Sequence, residues 1–153
     1  MQGLQKSIRD VISDAAPLVV RPRDSVMDVI GAMATEHEAA ALVATADGLA
    51  GIFTERDYLL RVVAAHRSPE STMVGSVMTP DPDTLRLDDC VTYAVNRMAV
   101  RGYRNVPIVD DVGQPVAVVG VRDLVGHLAE LFNEDPRDDS DGTFNDWIDI
   151  GGG

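Results

Sequence analysis

The chain writes one pattern twice, and few folds accommodate that. Val26, Val29, Ile30, Met33 and Ala34 return 65 positions later as Val91, Ala94, Val95, Met98 and Ala99. Both sets follow the i, i+3, i+4, i+7, i+8 spacing of a helix with one apolar face. Asp24 or Ser25 precedes the first set and Asp88 or Asp89 the second, as N-cap residues. An apolar stretch follows in each copy, Ala40-Ala41-Leu42-Val43 and Val106-Pro107-Ile108-Val109, here read at a spacing of 66, with a one-residue slip directly after the helix. Asp47-Gly48 and Asp110-Asp111-Val112-Gly113 carry hairpin turn chemistry. Leu49–Phe53 and Pro115–Val119 read as second strands. A second helix closes each copy, with Tyr58, Leu59, Val62 and Val63 as its inner face in the first and Leu124, Val125, Leu128 and Leu131 in the second.

Each copy thus reads strand, helix, strand, strand, helix, and the fold class is α+β (α/β) built from two β-α-β-β-α repeats. At roughly 60 residues each, the copies are small for independent burial. Packing sheet against sheet with pseudo-two-fold symmetry buries most, and puts related positions of both copies on shared clefts. Val11-Ile12-Ser13 and Val77-Met78-Thr79, 66 apart, are a further related pair. The polar, proline-containing stretch 67–72 marks a boundary. The expected organisation is 1–67 for the N-terminal segment and first repeat, 68–132 for the linker and second repeat, and 133–153 for an acidic tail. Phe144, Trp147, Ile148 and Ile150 in that tail form a small apolar cluster, expected to dock on the module or on a partner subunit.

The net charge is −12. Residues 133–153 hold seven acids and one arginine, leaving −6 for the other 132 positions. Such a surface disfavours nonspecific nucleic-acid binding, which needs clustered cations. It leaves room for a small anionic ligand in a locally basic pocket. No apolar run reaches the roughly 18 residues of a membrane span. There is no secretory leader pattern, and the one cysteine, Cys90, fits a reducing compartment. The expectation is a cytoplasmic protein, off the membrane. His37, His66 and His127 show no metal spacing and pair with Cys90 in no catalytic arrangement. Cys90 stands at a helix start, where a thiol pKa falls.

The second strand of each copy runs into a charged helix start: Gly51-Ile52-Phe53-Thr54-Glu55-Arg56-Asp57 and Ala117-Val118-Val119-Gly120-Val121-Arg122-Asp123. Arg56 matches Arg122 and Asp57 matches Asp123, whereas Thr54 matches Gly120. Thr54-x-x-Asp57 is a capping box variant on its own terms. A capped helix N-terminus also attracts anions, so capping and ligand contact are compatible.

These two stretches resemble tandem CBS (cystathionine-β-synthase) domains, a Bateman module. So do Val77-Met78-Thr79-Pro80 and Gly102-Tyr103-Arg104-Asn105-Val106-Pro107-Ile108-Val109. The likeness runs from about residue 7 to residue 132. It implies a regulatory module that binds an adenosine-containing ligand (AMP, ADP, ATP or S-adenosylmethionine) between the repeats and requires no cofactor. It implies that Asp123 and Asp57 hold ribose hydroxyls, which an ionised carboxylate can accept in pairs. Backbone groups beside Gly102, Tyr103, Asn105, Val106 and Pro107 would read the base, with Tyr103 available for stacking. Thr54, Gly120, Arg56 and Arg122 would face phosphate, with Arg101 and Arg104 as further candidates. The second copy keeps the Gly-x-x-x-x-Pro strand and lacks the hydroxyl at Gly120. The first keeps Thr54 but has Glu36-His37-Glu38-Ala39-Ala40-Ala41 where that strand should be, and the site at Asp123 is favoured. The resemblance also implies homodimers through the second helices. The alternative is a structural or dimerisation module with no physiological nucleotide. A hydrolase or redox enzyme finds no nucleophile–base pair here.

Overall fold

The computed structural model describes residues 5–134. Its elements run β1 (Val19–Val20), α1 (Val26–Glu36), β2 (Ala40–Thr45), β3 (Gly48–Thr54), α2 (Glu55–Asp57), β4 (Thr79–Pro80), α3 (Val91–Arg101), β5 (Asn105–Val109), β6 (Pro115–Gly120) and α4 (Val121–Glu134). α2 is a single turn continued by six residues of π-helical winding, Tyr58–Val63. The tail cluster at 144–150 lies outside the described residues.

Ser25 caps α1, its hydroxyl accepting the Asp28 N–H at 3.1 Å. α3 begins instead at Cys90, not at an aspartate. The aspartates ahead of both helices are used one turn earlier: Asp24 accepts the Arg21 N–H at 2.8 Å and Asp89 the Arg86 N–H at 2.7 Å. Both helices end in a left-handed residue, His37 (φ 57°) and Gly102 (φ 71°), 65 apart. Glycine has no Cβ to resist that conformation, whereas a histidine there carries a cost of about 1 kcal/mol.

β1–β4 form one sheet in sequence order and β5–β6 a second. Ala41 lies opposite Phe53, and Val106 opposite Val119. The 65-residue spacing therefore persists through β5, and the slip to 66 falls in the hairpin turn rather than after the helix. That one-residue correction exchanges the faces of β5. The structural counterpart of Pro107 is Leu42, and that of Asn105 is Ala40. It also explains why the first strand of the second repeat shrinks to a single bridge, Leu85 with Ile108. Leu42 donates its N–H to the Leu18 carbonyl at 2.8 Å. Pro107 has no N–H to offer Asp83, the residue equivalent to Leu18.

Each sheet has one face on its helices and one toward the other repeat. Ala41, Val43 and Phe53 join Val26, Val29, Met33 and Val62 in the first core. Val106, Ile108 and Val119 join Val91, Ala94 and Leu124 in the second. Ala40, Leu42 and Ile52 form a third cluster with Leu49 and with Val118 of β6, packing sheet on sheet. The hairpin ends also meet: Leu49 donates to the Gly113 carbonyl at 3.0 Å, and Gln114 Nε2 to that of Ala46 at 3.1 Å.

The leading segments cross over. Ile8, fully buried, belongs to the second core, with Val11 and Ile12 beside it. Val74 and Val77 belong to the first. The backbone shows the same exchange, with Ser7 bridged to Cys90 and Met73 to Ser25. Sequence reading placed Leu59, Val63, Val125 and Leu128 on inner helix faces, but all four are exposed. Only a narrow edge of each second helix packs on its core, Val62 with Tyr58 in one repeat and Leu124 in the other. Ile8→Ala should cost about 2–5 kcal/mol in chemical denaturation. Hydrogen exchange should accelerate in β5 and β6 more than in β2 and β3; the reverse pattern would contradict the exchange of cores.

Candidate functional site

Asp57 is buried, and both its oxygens are engaged. Oδ2 accepts the Thr54 N–H at 3.0 Å and the Thr54 hydroxyl at 3.1 Å, while the Asp57 N–H donates back to Thr54 Oγ1 at 3.3 Å. Oδ1 accepts the Thr79 hydroxyl at 3.1 Å and lies 3.7 Å from Arg61 Nε. Arg61 also donates to the Met78 carbonyl at 2.6 Å. The capping reading of Thr54-x-x-Asp57 is thus realised, and the carboxylate ties β4 to the start of α2. β4 lies on the free edge of β3, with Gly51 opposite Pro80 and Ile52 opposite Thr79.

Asp123 stands differently. Its Oδ2 accepts the Gly120 N–H at 2.7 Å. No hydrogen bond among the described residues engages Oδ1. The side chain borders a groove of about 410 Å³ between α4 and the leading segment, lined by Asp10, Val11, Ile12, Ser13, Arg122, Asp123, Gly126, His127 and Glu130. That volume falls within the range of small-ligand sites. By the 66-residue spacing, Ser13 corresponds to Thr79 and His127 to Arg61. Ser13 forms no strand with β6, however, and the edge that β4 covers in the first repeat stays uncovered here among the described residues.

The two edges differ by a methyl group where β4 approaches most closely. Gly51 pairs with β4 because it has no side chain: an added Cβ would lie 2.8 Å from the Thr79 carbonyl oxygen and closer still to the Met78 sulfur. Its counterpart in β6 is Ala117, which carries that Cβ. A strand laid on β6 as β4 lies on β3 would collide with it.

Of the remaining sequence candidates, Asn105 stands beside Gly120. Asn105 pairs with it across the hairpin, and a Cβ at Gly120 would stand 3.4 Å from Asn105 Oδ1 and 3.5 Å from Asp123 Oδ2. The Arg104 carbonyl accepts the Val121 N–H at 3.0 Å. Arg122 and Arg56 are exposed. Gly102 and Tyr103 are exposed at the α3–β5 junction and do not line the groove at Asp123. Val106 and Pro107 are buried, Val106 in the helix-side core. The sequence reading passed over Ser13, Thr79 and Arg61, although the spacing of Ser13 and Thr79 was visible in it. Cys90 has its thiol pKa lowered, chiefly by the side-chain hydrogen bond from the Thr92 hydroxyl at 3.1 Å. No cluster of metal-binding side chains occurs among the described residues.

The CBS domain family model matches residues 8–64 and 74–130. The CBS domain-containing protein CBSCBSPB1 of Arabidopsis thaliana is 37% identical over 71% of the chain, which spans 20% of that relative's length. The CBS domain protein PAE2072 from Pyrobaculum aerophilum, complexed with AMP, superposes with a TM-score of 0.73 at 22% identity, covering 84% of this chain and 99% of that one. The CBS domain pair of protein MJ0100, in complex with 5′-methylthioadenosine and S-adenosyl-L-methionine, gives 0.70 at 22% identity, covering 83% and 99%. At that identity the two structures speak for the fold alone. Gly51→Ala should displace β4 and lower stability by about 1–3 kcal/mol. Exchange at the Asp81 amide, which donates to Ala50, should rise with it. Unchanged stability and exchange would remove the methyl explanation.

Proposed function

The chain belongs to the CBS domain family, and we propose that it is a regulatory CBS pair that binds one adenosine-containing ligand per chain at Asp123. The observation that carries this reading is the contrast between the two carboxylates. Asp57 is enclosed by Thr54, Thr79 and Arg61, whereas one oxygen of Asp123 has no hydrogen bond among the described residues and lies beside a groove of about 410 Å³. A carboxylate with a free oxygen and an orienting backbone N–H on the other suits a vicinal diol. The Asn105 side chain, beside Gly120, supplies a polar group for the base, and Arg122 supplies charge at the groove rim. The CBS neighbours carrying AMP and S-adenosyl-L-methionine support the ligand class. The role is binding and signalling rather than turnover.

The exposed apolar side chains of the second helices favour a homodimer. Leu59, Leu60 and Val63 on one, and Val121, Val125, Leu128 and Phe132 on the other, are exposed apolar side chains on the outer faces of these helices. Burying them against a second copy removes them from water. The ligand's effect would then pass through α4, which carries both Asp123 and this outer face.

Calorimetric titration with AMP, ADP, ATP and S-adenosylmethionine should give one site per chain, lost in Asp123→Ala and retained in Asp57→Asn. Absence of binding at millimolar concentration would favour a purely structural module. Native mass spectrometry should show twice the chain mass, and Val125→Asp together with Leu59→Asp should give the single chain. A wild-type monomer at micromolar concentration would end the dimer reading.

A further inference from the structure

The outer face of α3 is apolar and basic. Tyr93 and Val100 lie two turns apart on it, with Asn96 and Arg97 between them, and are 57% and 73% exposed. Tyr103, also exposed, follows the Gly102 cap. Scattered apolar side chains on a surface are ordinary, but a set on one helix face rimmed by charge marks an interaction site. Arg97, Arg101 and Arg104 supply that rim. Asp83 Oδ2 lies 3.9 Å from Arg97 Nε and 3.8 Å from Arg101 Nη1, beyond hydrogen-bond length, so one carboxylate is shared by two guanidiniums and saturates neither. Arg97 Nε is a buried atom with no hydrogen-bond partner among the described residues. All this stands on a chain of net charge −12. A homodimer through the second helices leaves the face open.

The first repeat shows that the fold does not require such a face. At the 65-residue spacing, the positions of Tyr93, Val100, Arg101 and Tyr103 are held by Asp28, Thr35, Glu36 and Glu38. Asp28, Thr35 and Glu36 face solvent, as polar residues on an uncovered helix do. The core makes no demand on outward positions. Their change from polar and acidic to apolar and basic points to an occupant on the second repeat alone.

We propose that this occupant is the chain's own segment 144–150, held on the α3 of the same chain. Its sequence, Phe144-Asn145-Asp146-Trp147-Ile148-Asp149-Ile150, interleaves apolar side chains with acids. That complements a face which interleaves Tyr93, Val100 and Tyr103 with Arg97 and Arg101. Residues 135–153 carry six acids against one arginine, the charge those guanidiniums lack. Reach is ample. The spacer 135–143 spans up to about 30 Å when extended, whereas α3 is about 16 Å long and packs beside α4, from which the spacer departs. A tether that short keeps the segment at a local concentration on the order of millimolar, which favours its own α3 over a second copy's. The proposal is independent of the adenosine site.

Trp147 is the one tryptophan of the chain and reports on the contact directly. In the full-length protein its emission should lie to the blue of that of a free 135–153 peptide, and acrylamide should quench it less. Val100→Asp and Arg101→Gln, both at exposed side chains, should each reduce the blue shift while the circular dichroism of the fold is retained. Thr35→Asp, at the equivalent position of α1, should leave it unchanged. Salt at 1 M should weaken the shift, since the screening length falls to about 3 Å. Emission and quenching equal to those of the free peptide would overturn the proposal. So would a blue shift that survives Val100→Asp, or one that Leu128→Asp on α4 removes instead. A shift lost on dilution would assign the contact to a second copy and overturn the same-chain reading.

Discussion

Neither repeat closes its own core. Ile8 fills the second and Val74 and Val77 the first, each from a segment that precedes the other repeat in sequence. Remove either segment and an apolar hole opens under a sheet of only a few strands, where a buried aliphatic side chain contributes a few kcal/mol. The sheet-to-sheet cluster of Leu42, Ile52 and Val118 is smaller than either helix-side core. The two halves are joined mainly by this exchange, with the sheet interface secondary to it.

The same segments decide what happens at the clefts. Having crossed over at Val74 and Val77, the chain continues directly into Thr79 and meets Asp57. Having crossed over at Ile8, it continues into Ser13 and stops short of β6. Duplication supplied the same parts on both sides, and Gly51 against Ala117 separates the outcomes. One carboxylate becomes an internal fastening for β4, and the other remains available at the groove.

Much of this was legible in the sequence because amphipathic periodicity is a backbone-level signal. The faces of α1 and α3, the hairpins and the motif at each helix start all followed from spacing alone. The register of β5 did not follow. The strands of both copies are apolar on both faces, and alternation then carries no information about which residue points inward. The π-helical turn after Asp57 and the narrow contact of the second helices were equally hidden, since Leu59 and Val63 look like core residues until their surroundings are known. The site was half visible. Thr54-x-x-Asp57 gave itself away as a cap, and Asp123 as its echo. Which of them remains open depends on a pairing partner more than 20 residues distant from one and more than 100 from the other. Only the 66-residue recurrence of Ser13 and Thr79 hinted at it.

The crossed leading segments also limit how the molecule can move. Two domains on a flexible tether can open like a clamshell. Here two short stretches join the halves, 13–17 and 79–84, so opening about one of them is resisted by the other. The motion this connectivity leaves open is a shear, a slide or twist of one sheet over the other. Displacements of that kind are short, and they reach the outer helix faces as a change in angle rather than in distance.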